Sequence, residues 1–257
     1  MATFLLLHGI PGSAATWETV AHGLGDRHTV LAPDLAGFDG RPLPDDPEEL
    51  LAHRQALRLL RLLDRAGVDR VVVAAHDFGG PVAAHLLAAA PERVAGLGLF
   101  ATNAFPDTPV PFPLSMVTAP VIGSVAARLL FSRRSLAMMV RRGVGRPSVA
   151  LDVDRYVGDR RRQEAIATIF SHSLRRLGEL YRPVEAALAS VAVPTVVGWG
   201  DRDPFFPVAI GERTAALVPS ARFRLYRGGG HFLPEERPAE VAADLVALAA
   251  LVDSSRR

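Results

Sequence analysis

Two aspartates and one histidine, far apart in the chain, have the residue types and surroundings that covalent hydrolysis requires. Asp77 stands in the sequence H-D-F-G-G, Asp203 in G-D-R-D-P, and His231 follows three consecutive glycines. A carboxylate is already nucleophilic at neutral pH, because its ordinary pKa is about 3.9. A histidine oriented by a second carboxylate can deprotonate water. If the fold brings residues of these types together, they could supply a nucleophile, an orienting acid and a base.

Asp77 lies between a predicted buried strand and a predicted helix. Residues 71–75 are apolar and β-branched or small, and residues 81–90 form a helical run that ends before a proline. The small residues Ala75 and Gly79 allow a tight turn that directs the Asp77 side chain off the carboxyl end of the sheet. The helix N-terminus behind Asp77 favours a negative charge there. We expect unusual backbone angles at Asp77, since such turns store strain.

The rest of the chain alternates between short apolar runs and helical runs. Strands are predicted near residues 3–7, 28–33, 70–75, 94–101, 193–199 and 221–226. This alternation predicts an α/β fold with a mostly parallel sheet of about six strands flanked by helices. Asp77, Asp203 and His231 each follow one of these strands. We therefore expect His231 within hydrogen-bond reach of Asp203 and close to Asp77.

The middle of the chain differs in composition from the rest. Residues 105–183 contain 13 Arg against 6 acidic residues, begin with a proline-rich stretch, and show no strand pattern. They are predicted to form a helical cap of three to five helices, inserted into a core made of residues 1–104 and 184–257. A basic cap could steer an anionic substrate, but the arginines also fit a solvated helix face.

These motifs together resemble the α/β-hydrolase fold family, and in particular its Asp-nucleophile branch, the epoxide hydrolases and haloalkane dehalogenases. The H-D-F-G-G turn, an H-G-I-P loop at residues 8–11, the G-D-R-D turn and the G-H-F loop carry the resemblance. It implies Asp77 as nucleophile, Asp203 as acid and His231 as base. It also implies an oxyanion hole formed by the backbone N–H groups of Ile10 and Phe78. The cap matches no specific motif.

Epoxide hydrolases of this branch use cap tyrosines to protonate the epoxide oxygen. The cap of this chain contains Tyr156 and Tyr181, and His172 stands in the region where a family tyrosine is expected. These three residues are the candidate leaving-group acids. An exposed or merely packed His172 is an equally good interpretation.

Haloalkane dehalogenases usually hold the halide with a Trp after the nucleophile and a second Trp or Asn. This chain has Phe78 and Ile10 at those positions, and its tryptophans, Trp17 and Trp199, fall in predicted core elements. An epoxide hydrolase-like enzyme is therefore the first hypothesis, and a dehalogenase the second. Two further hypotheses remain open. The chain could be a non-hydrolytic lyase, isomerase or cyclase, or it could be a binding or sensing protein with a vestigial triad.

The amino-acid composition limits which cofactors and binding partners are expected for this chain. The chain has no Cys, so it contains neither disulfides nor thiolate metal sites, and the implied chemistry needs no metal or organic cofactor. There is no apolar run near twenty residues long, and the arginines lack interleaved aromatic residues. We expect a cytoplasmic monomer or homodimer that acts on a small molecule and binds neither nucleic acid nor membrane.

Overall fold

Six parallel strands form the central sheet in the computed structural model, which describes residues 1–146 and 151–254. Along the sheet their order is β2-β1-β3-β4-β5-β6. This confirms the predicted fold class and the predicted strand positions. The strands are β1 Thr3–Leu7, β2 Thr29–Leu31, β3 Val71–His76, β4 Val94–Phe100, β5 Thr195–Gly200 and β6 Ala221–Tyr226.

Helices cover both faces of the sheet, which is why its central strands are apolar on both sides. Successive side chains of a strand point to opposite faces. In β1, Leu5 and Leu7 join one apolar cluster, and Phe4 and Leu6 join the other. Every residue of β3 and β4 is buried. The continuous apolar runs in the sequence therefore reflect parallel strands covered on both faces.

The helices outside the middle segment alternate with the strands, and 3-10 turns precede the first two of them. A 3-10 turn, Ala14–Trp17, leads into α1. A second 3-10 turn, Pro47–Leu50, lies just before α2. A further 3-10 turn spans Pro91–Arg93. These helices are α1 Glu18–Leu24, α2 Ala52–Arg65, α3 Gly79–Ala89, α9 Val208–Leu217, α10 Leu233–Glu236 and α11 Pro238–Ser254.

A helical segment is inserted between β4 and β5. Within its described part it contains no strand, and α8 continues through Pro183. The predicted boundary at residue 183 therefore falls inside a continuous helix. The elements of the segment are a 3-10 turn Leu114–Thr118, α4 Gly123–Leu130, α5 Arg133–Gly143, α6 Val153–Val157, α7 Arg160–Arg175 and α8 Leu177–Ala189.

Across the described part of the chain, none of the helices has the length and apolar character that crossing a membrane requires.

Candidate active site

The turn between β3 and α3 holds Asp77 in a left-handed conformation. Its φ is 49°, in a region that non-glycine residues seldom occupy. The Asp77 N–H donates to the Phe100 carbonyl at 3.1 Å, and the Asp77 carbonyl accepts from the Gly80 N–H at 3.0 Å. The hydroxyl of Thr102 donates to the same carbonyl at 2.6 Å. The surrounding backbone thus fixes a conformation that aspartate alone would not favour.

Glycines allow the loop after β1 and the start of α3 to approach this turn closely. A Cβ on Gly9 would lie 2.4 Å from the Cβ of Asp77. A Cβ on Gly79 would lie 2.5 Å from the Leu7 carbonyl oxygen. Neither contact is sterically possible, so both positions require glycine. The H-G and D-F-G spacings in the sequence therefore reflect direct packing of the two loops.

The two carboxylate oxygens of Asp77 have different partners. Oδ1 accepts a hydrogen bond from the Ile10 N–H at 2.7 Å. Oδ2 lies 3.5 Å from Nε2 of His231. No hydrogen bond from the Phe78 N–H is found within residues 1–146 and 151–254. One oxygen is therefore held by the backbone, and the other faces the histidine.

His231 connects the two carboxylates that the sequence placed far apart. Its Nδ1 lies 2.9 Å from Oδ2 of Asp203, whose side chain is fully buried. The other oxygen of Asp203 accepts from the N–H groups of Phe205 and Phe206 at 2.8 and 3.0 Å. Asp203 is thereby fixed as an acceptor, which directs Nε2 of His231 toward Asp77.

The charges in this cluster change the pKa values of its members. Burial disfavours a charged His231, but the facing carboxylates of Asp203 and Asp77 outweigh it and raise the pKa of His231 to about 10. Burial likewise disfavours a charged Asp77, but His231 and the Ile10 N–H lower the pKa of Asp77 overall. At neutral pH Asp77 is therefore an anion beside a protonated His231.

Sequence reasoning assigned no role to His76, which packs directly against His231. Its Nε2 lies 2.8 Å from the His231 carbonyl, so the ring donates there, and the two ring centroids are 4.9 Å apart. Burial lowers the pKa of His76 to about 4, which keeps the ring neutral. The only sequence signal was its position next to Asp77.

Glu236 was also missed, and it ties the His231 loop to the end of α5. Its carboxylate accepts from the N–H groups of Gly145, Gly230 and Phe232 at 2.8, 3.0 and 3.1 Å. The His231 N–H donates to the Gly143 carbonyl at 2.7 Å. The inserted segment thus helps to hold the histidine loop in place.

Replacing Glu236 by alanine is expected to lower the free energy of unfolding by about 3 kcal/mol, because it leaves buried N–H donors without an acceptor. Urea unfolding followed by circular dichroism measures this. Glu212→Ala, at an exposed position of α9, is the matched control. Equal stability of the two variants would show that Glu236 does not fix the loop.

The three candidate leaving-group acids lie in different surroundings. The Tyr156 hydroxyl donates to Glu235, and its ring packs edge-on against Phe232. His172 is half-buried on α7. Tyr181 is half-buried on α8, and burial together with the charge of Asp77 raises the pKa of Tyr181. The effect of Asp77 on the pKa of Tyr181 links this side chain to the Asp77 carboxylate.

A hydrogen bond between α8 and helix α3 of the core fixes the backbone next to Tyr181. The carbonyl of the preceding residue, Leu180, accepts from Nε2 of His85 on α3 at 3.1 Å. Since α3 begins two residues after Asp77, α8 is attached to the same helix that supports the turn at Asp77. Within the described ranges, no group of three or more His, Asp or Glu residues is arranged to hold a metal ion.

Comparison with known proteins places the chain in a family. The chain matches the α/β hydrolase fold family over residues 2–238. It is 28% identical to epoxide hydrolase A of Mycobacterium tuberculosis, covering 94% of this chain and 88% of the relative. It is 26% identical to haloalkane dehalogenase 2 of Mycobacterium bovis, covering 94% and 86%. The chain therefore belongs to the α/β-hydrolase fold family.

Solved structures agree with the fold. A hydrolase from Rhodococcus, 2-hydroxy-6-oxo-6-phenylhexa-2,4-dienoate hydrolase, superposes with a TM-score of 0.82 over 97% of this chain and 90% of its own. The identity to that enzyme is 18%, so the likeness concerns the fold alone. The choice of nucleophile and substrate depends on the residues of this chain.

Proposed function

We propose that this chain is a hydrolase with Asp77 as nucleophile, and that it opens small organic epoxides through an alkyl ester on Asp77. The observation that carries the proposal is the unequal setting of the two Asp77 oxygens. Oδ1 is bound by the Ile10 N–H, whereas Oδ2 faces His231 at 3.5 Å. The bound oxygen is suited to become an oxyanion, and the other oxygen is free to attack carbon.

In the first step, Oδ2 of Asp77 attacks a saturated epoxide carbon, and the bond between that carbon and the epoxide oxygen breaks. The oxygen leaves as an alkoxide and takes a proton from Tyr181. The charge of Asp77 disappears as the ester forms, and that charge is one cause of the raised pKa of Tyr181. Tyr181 therefore becomes a better acid as the alkoxide develops.

In the second step, water attacks Cγ of the ester. The charge of Asp77 is no longer present, so the pKa of His231 falls below its resting value and its Nε2 proton passes to the Tyr181 phenolate. The neutral Nε2 then accepts one proton of the attacking water. Oδ1 carries the negative charge of the tetrahedral intermediate, held by the N–H groups of Ile10 and Phe78. The bond from Cγ to Oδ2 then breaks, the leaving oxygen takes the proton from Nε2 of His231, and the diol is released. The second proton of the water, carried on the new Asp77 carboxyl group, passes to His231 and restores the resting state.

The surroundings of the tryptophans favour epoxides over halides. Trp17 and Trp199 are fully buried in the core clusters on the two faces of the sheet. The indole N–H of Trp199 donates to the Phe206 carbonyl at 2.8 Å. Ile10 and Phe78 offer no side-chain N–H to a halide. Haloalkane hydrolysis is the second candidate, supported by the dehalogenase among the relatives.

A substrate panel tests the proposal. The purified protein is incubated with aryl and alkyl epoxides, haloalkanes and activated esters, and the diol, halide and acid products are measured. The proposal predicts diol from at least one epoxide and no halide release. Halide release without diol would instead assign the dehalogenase activity. Turnover of none of the three classes would favour the non-hydrolytic or sensing alternatives.

Tyr181→Phe is expected to slow ester formation by about a hundredfold or more, because the variant removes the acid that serves the first step. It should change hydrolysis of the ester much less, since that step uses His231. Single-turnover kinetics with mass detection of the ester separates the two rates. Tyr156→Phe is the matched comparison, because its hydroxyl is directed to Glu235. A larger loss in Tyr156→Phe or His172→Ala than in Tyr181→Phe would contradict this assignment.

A further inference from the structure

The inserted segment exposes apolar side chains to an unusual extent. Six of the ten large hydrophobic side chains exposed in the described part of the chain lie between residues 112 and 138. Four of them form what we call the apolar stripe: Val121, Ile122, Val125 and Leu129. Val121, Val125 and Leu129 are 88%, 57% and 66% exposed. Such a concentration on one segment marks an interaction surface.

The apolar stripe runs along the outer side of α4. Ile122, Val125 and Leu129 are spaced three and four residues apart, so their side chains share one helix face. The opposite face is formed by small residues, and Gly123, Ala126 and Ala127 are buried. That inner face packs against the 3-10 turn Leu114–Thr118 and against α7. The protein's own packing thus leaves the larger apolar side chains of α4 facing outward.

Helix α5, which contacts α4, also exposes arginines around an apolar side chain. Arg134, Met138 and Arg141 recur at intervals of four and three residues, and all are exposed. Leu136 and Val140 form the buried side of α5. Both helices are therefore amphipathic, with arginine beside exposed apolar groups.

The charge of this segment has one sign. Residues 108–151 contain six Arg and no Asp or Glu. Within residues 1–146 and 151–254, the four of these arginines on α4 and α5 other than Arg133 form no ion pair: Arg128, Arg134, Arg141 and Arg142. Arg133 pairs with Asp154, which lies outside the acid-free stretch. The four arginines are exposed and available to an anionic partner.

We propose that α4 and α5 dock on the surface of an anionic lipid bilayer, with the apolar stripe entering the headgroup region and the four arginines contacting lipid phosphates. A helix that combines arginine with exposed aliphatic side chains lies in such an interface. Each arginine near an anionic surface strengthens the attraction. The helices would lie on the bilayer without crossing it, so the lack of a membrane-spanning segment is compatible with this docking.

The charge and composition of α4 and α5 argue against two other binding partners, a second copy of the chain and single-stranded nucleic acid. A second copy docked on the same face would bring two acid-free arginine clusters together, which like charges oppose. Single-stranded nucleic acid needs aromatic platforms for its bases, and the apolar stripe is aliphatic. A bilayer supplies both the phosphates and the apolar medium that the two helices match.

Vesicle sedimentation tests the docking. The full-length protein is mixed with vesicles of phosphatidylcholine alone and of phosphatidylcholine with phosphatidylglycerol. We expect binding to the anionic vesicles only, weakened by added salt because salt screens the arginines. Val125→Ser/Leu129→Ser and Arg134→Ser/Arg142→Ser should each lower the partition coefficient on the order of tenfold or more. Leu57→Ser and Arg61→Ser/Arg65→Ser, at exposed positions of α2, are the matched controls.

A fluorescent reporter keeps the test independent of sedimentation. Both native tryptophans are buried, so Leu129→Trp introduces an exposed indole whose emission should shift to shorter wavelength on anionic vesicles. Absence of wild-type binding would overturn the proposal. So would binding that the α4 and α5 variants leave unchanged. Binding to soluble polyglutamate that is as strong as binding to vesicles, and insensitive to Val125→Ser/Leu129→Ser, would assign an acidic protein partner instead.

Discussion

His231→Gln is expected to form the ester on Asp77 and then to stop, so that the ester accumulates. The first step uses Oδ2 of Asp77 and a proton from the cap, and neither depends on the imidazole. The second step needs a base for water, and loss of a positioned general base lowers such a rate by about a hundred to ten thousandfold. Intact-protein mass spectrometry after mixing with an epoxide measures the adduct.

The control for this experiment is His22→Gln, at an exposed position of α1. It should turn over substrate like the wild type and show no lasting adduct. Proteolysis of the trapped His231→Gln protein should locate the added mass on the peptide that contains Asp77. Full turnover by His231→Gln, or an adduct on any other residue, would contradict the proposed division of the two steps.

Asp77→Asn is expected to abolish ester formation and to reduce turnover to the level of the uncatalysed reaction. The carboxamide keeps the shape of the side chain but lacks the negative oxygen that attacks carbon. Product formation by freshly purified protein measures the loss. Asp26→Asn, at an exposed position, is the matched control. Activity within about tenfold of wild type, a difference of about 1.4 kcal/mol in the barrier, would exclude Asp77 as nucleophile.

Asp77→Asn also tests whether the charge of Asp77 raises the pKa of His231. The neutral carboxamide resembles the esterified side chain in charge, so the pKa of His231 should fall from its resting value of about 10. Proton NMR of the imidazole across a pH titration measures the change. An acid limb in the rate of ester hydrolysis should follow this lower pKa, because His231 must be neutral to accept a proton from water. An unchanged pKa in Asp77→Asn would show that Asp203 alone sets it.

Much of the sheet could be predicted because its signal is local. A parallel strand covered on both faces is apolar along almost its whole length: β4 is apolar throughout, and β3 is apolar until His76 at its end. The turn at Asp77 also has a local cause, since Ala75 and Gly79 are small and the chain changes there from strand to helix. The left-handed φ of Asp77 agrees with this prediction.

The parts that could not be predicted depend on contacts between distant residues. Glu236 binds the N–H of Gly145, which is 91 positions away, and His76 meets the carbonyl of His231, which is 155 positions away. Neither pair leaves a periodic pattern in the sequence. The choice of Tyr181 among the candidate acids has the same origin, because it depends on the attachment of α8 to α3. Sequence reasoning could propose three acids but could not place them relative to Asp77.

A single turnover in water enriched in oxygen-18 tests the central claim most directly. The wild-type protein, in excess over an epoxide, is allowed one turnover, and the Asp77 peptide and the diol are analysed by mass spectrometry. If water attacks Cγ of an ester, the label enters the Asp77 carboxylate, and the diol of this first turnover carries an unlabelled oxygen from Asp77. If the label instead appears in the diol and Asp77 remains unlabelled, water attacks the epoxide directly, and Asp77 is not the nucleophile.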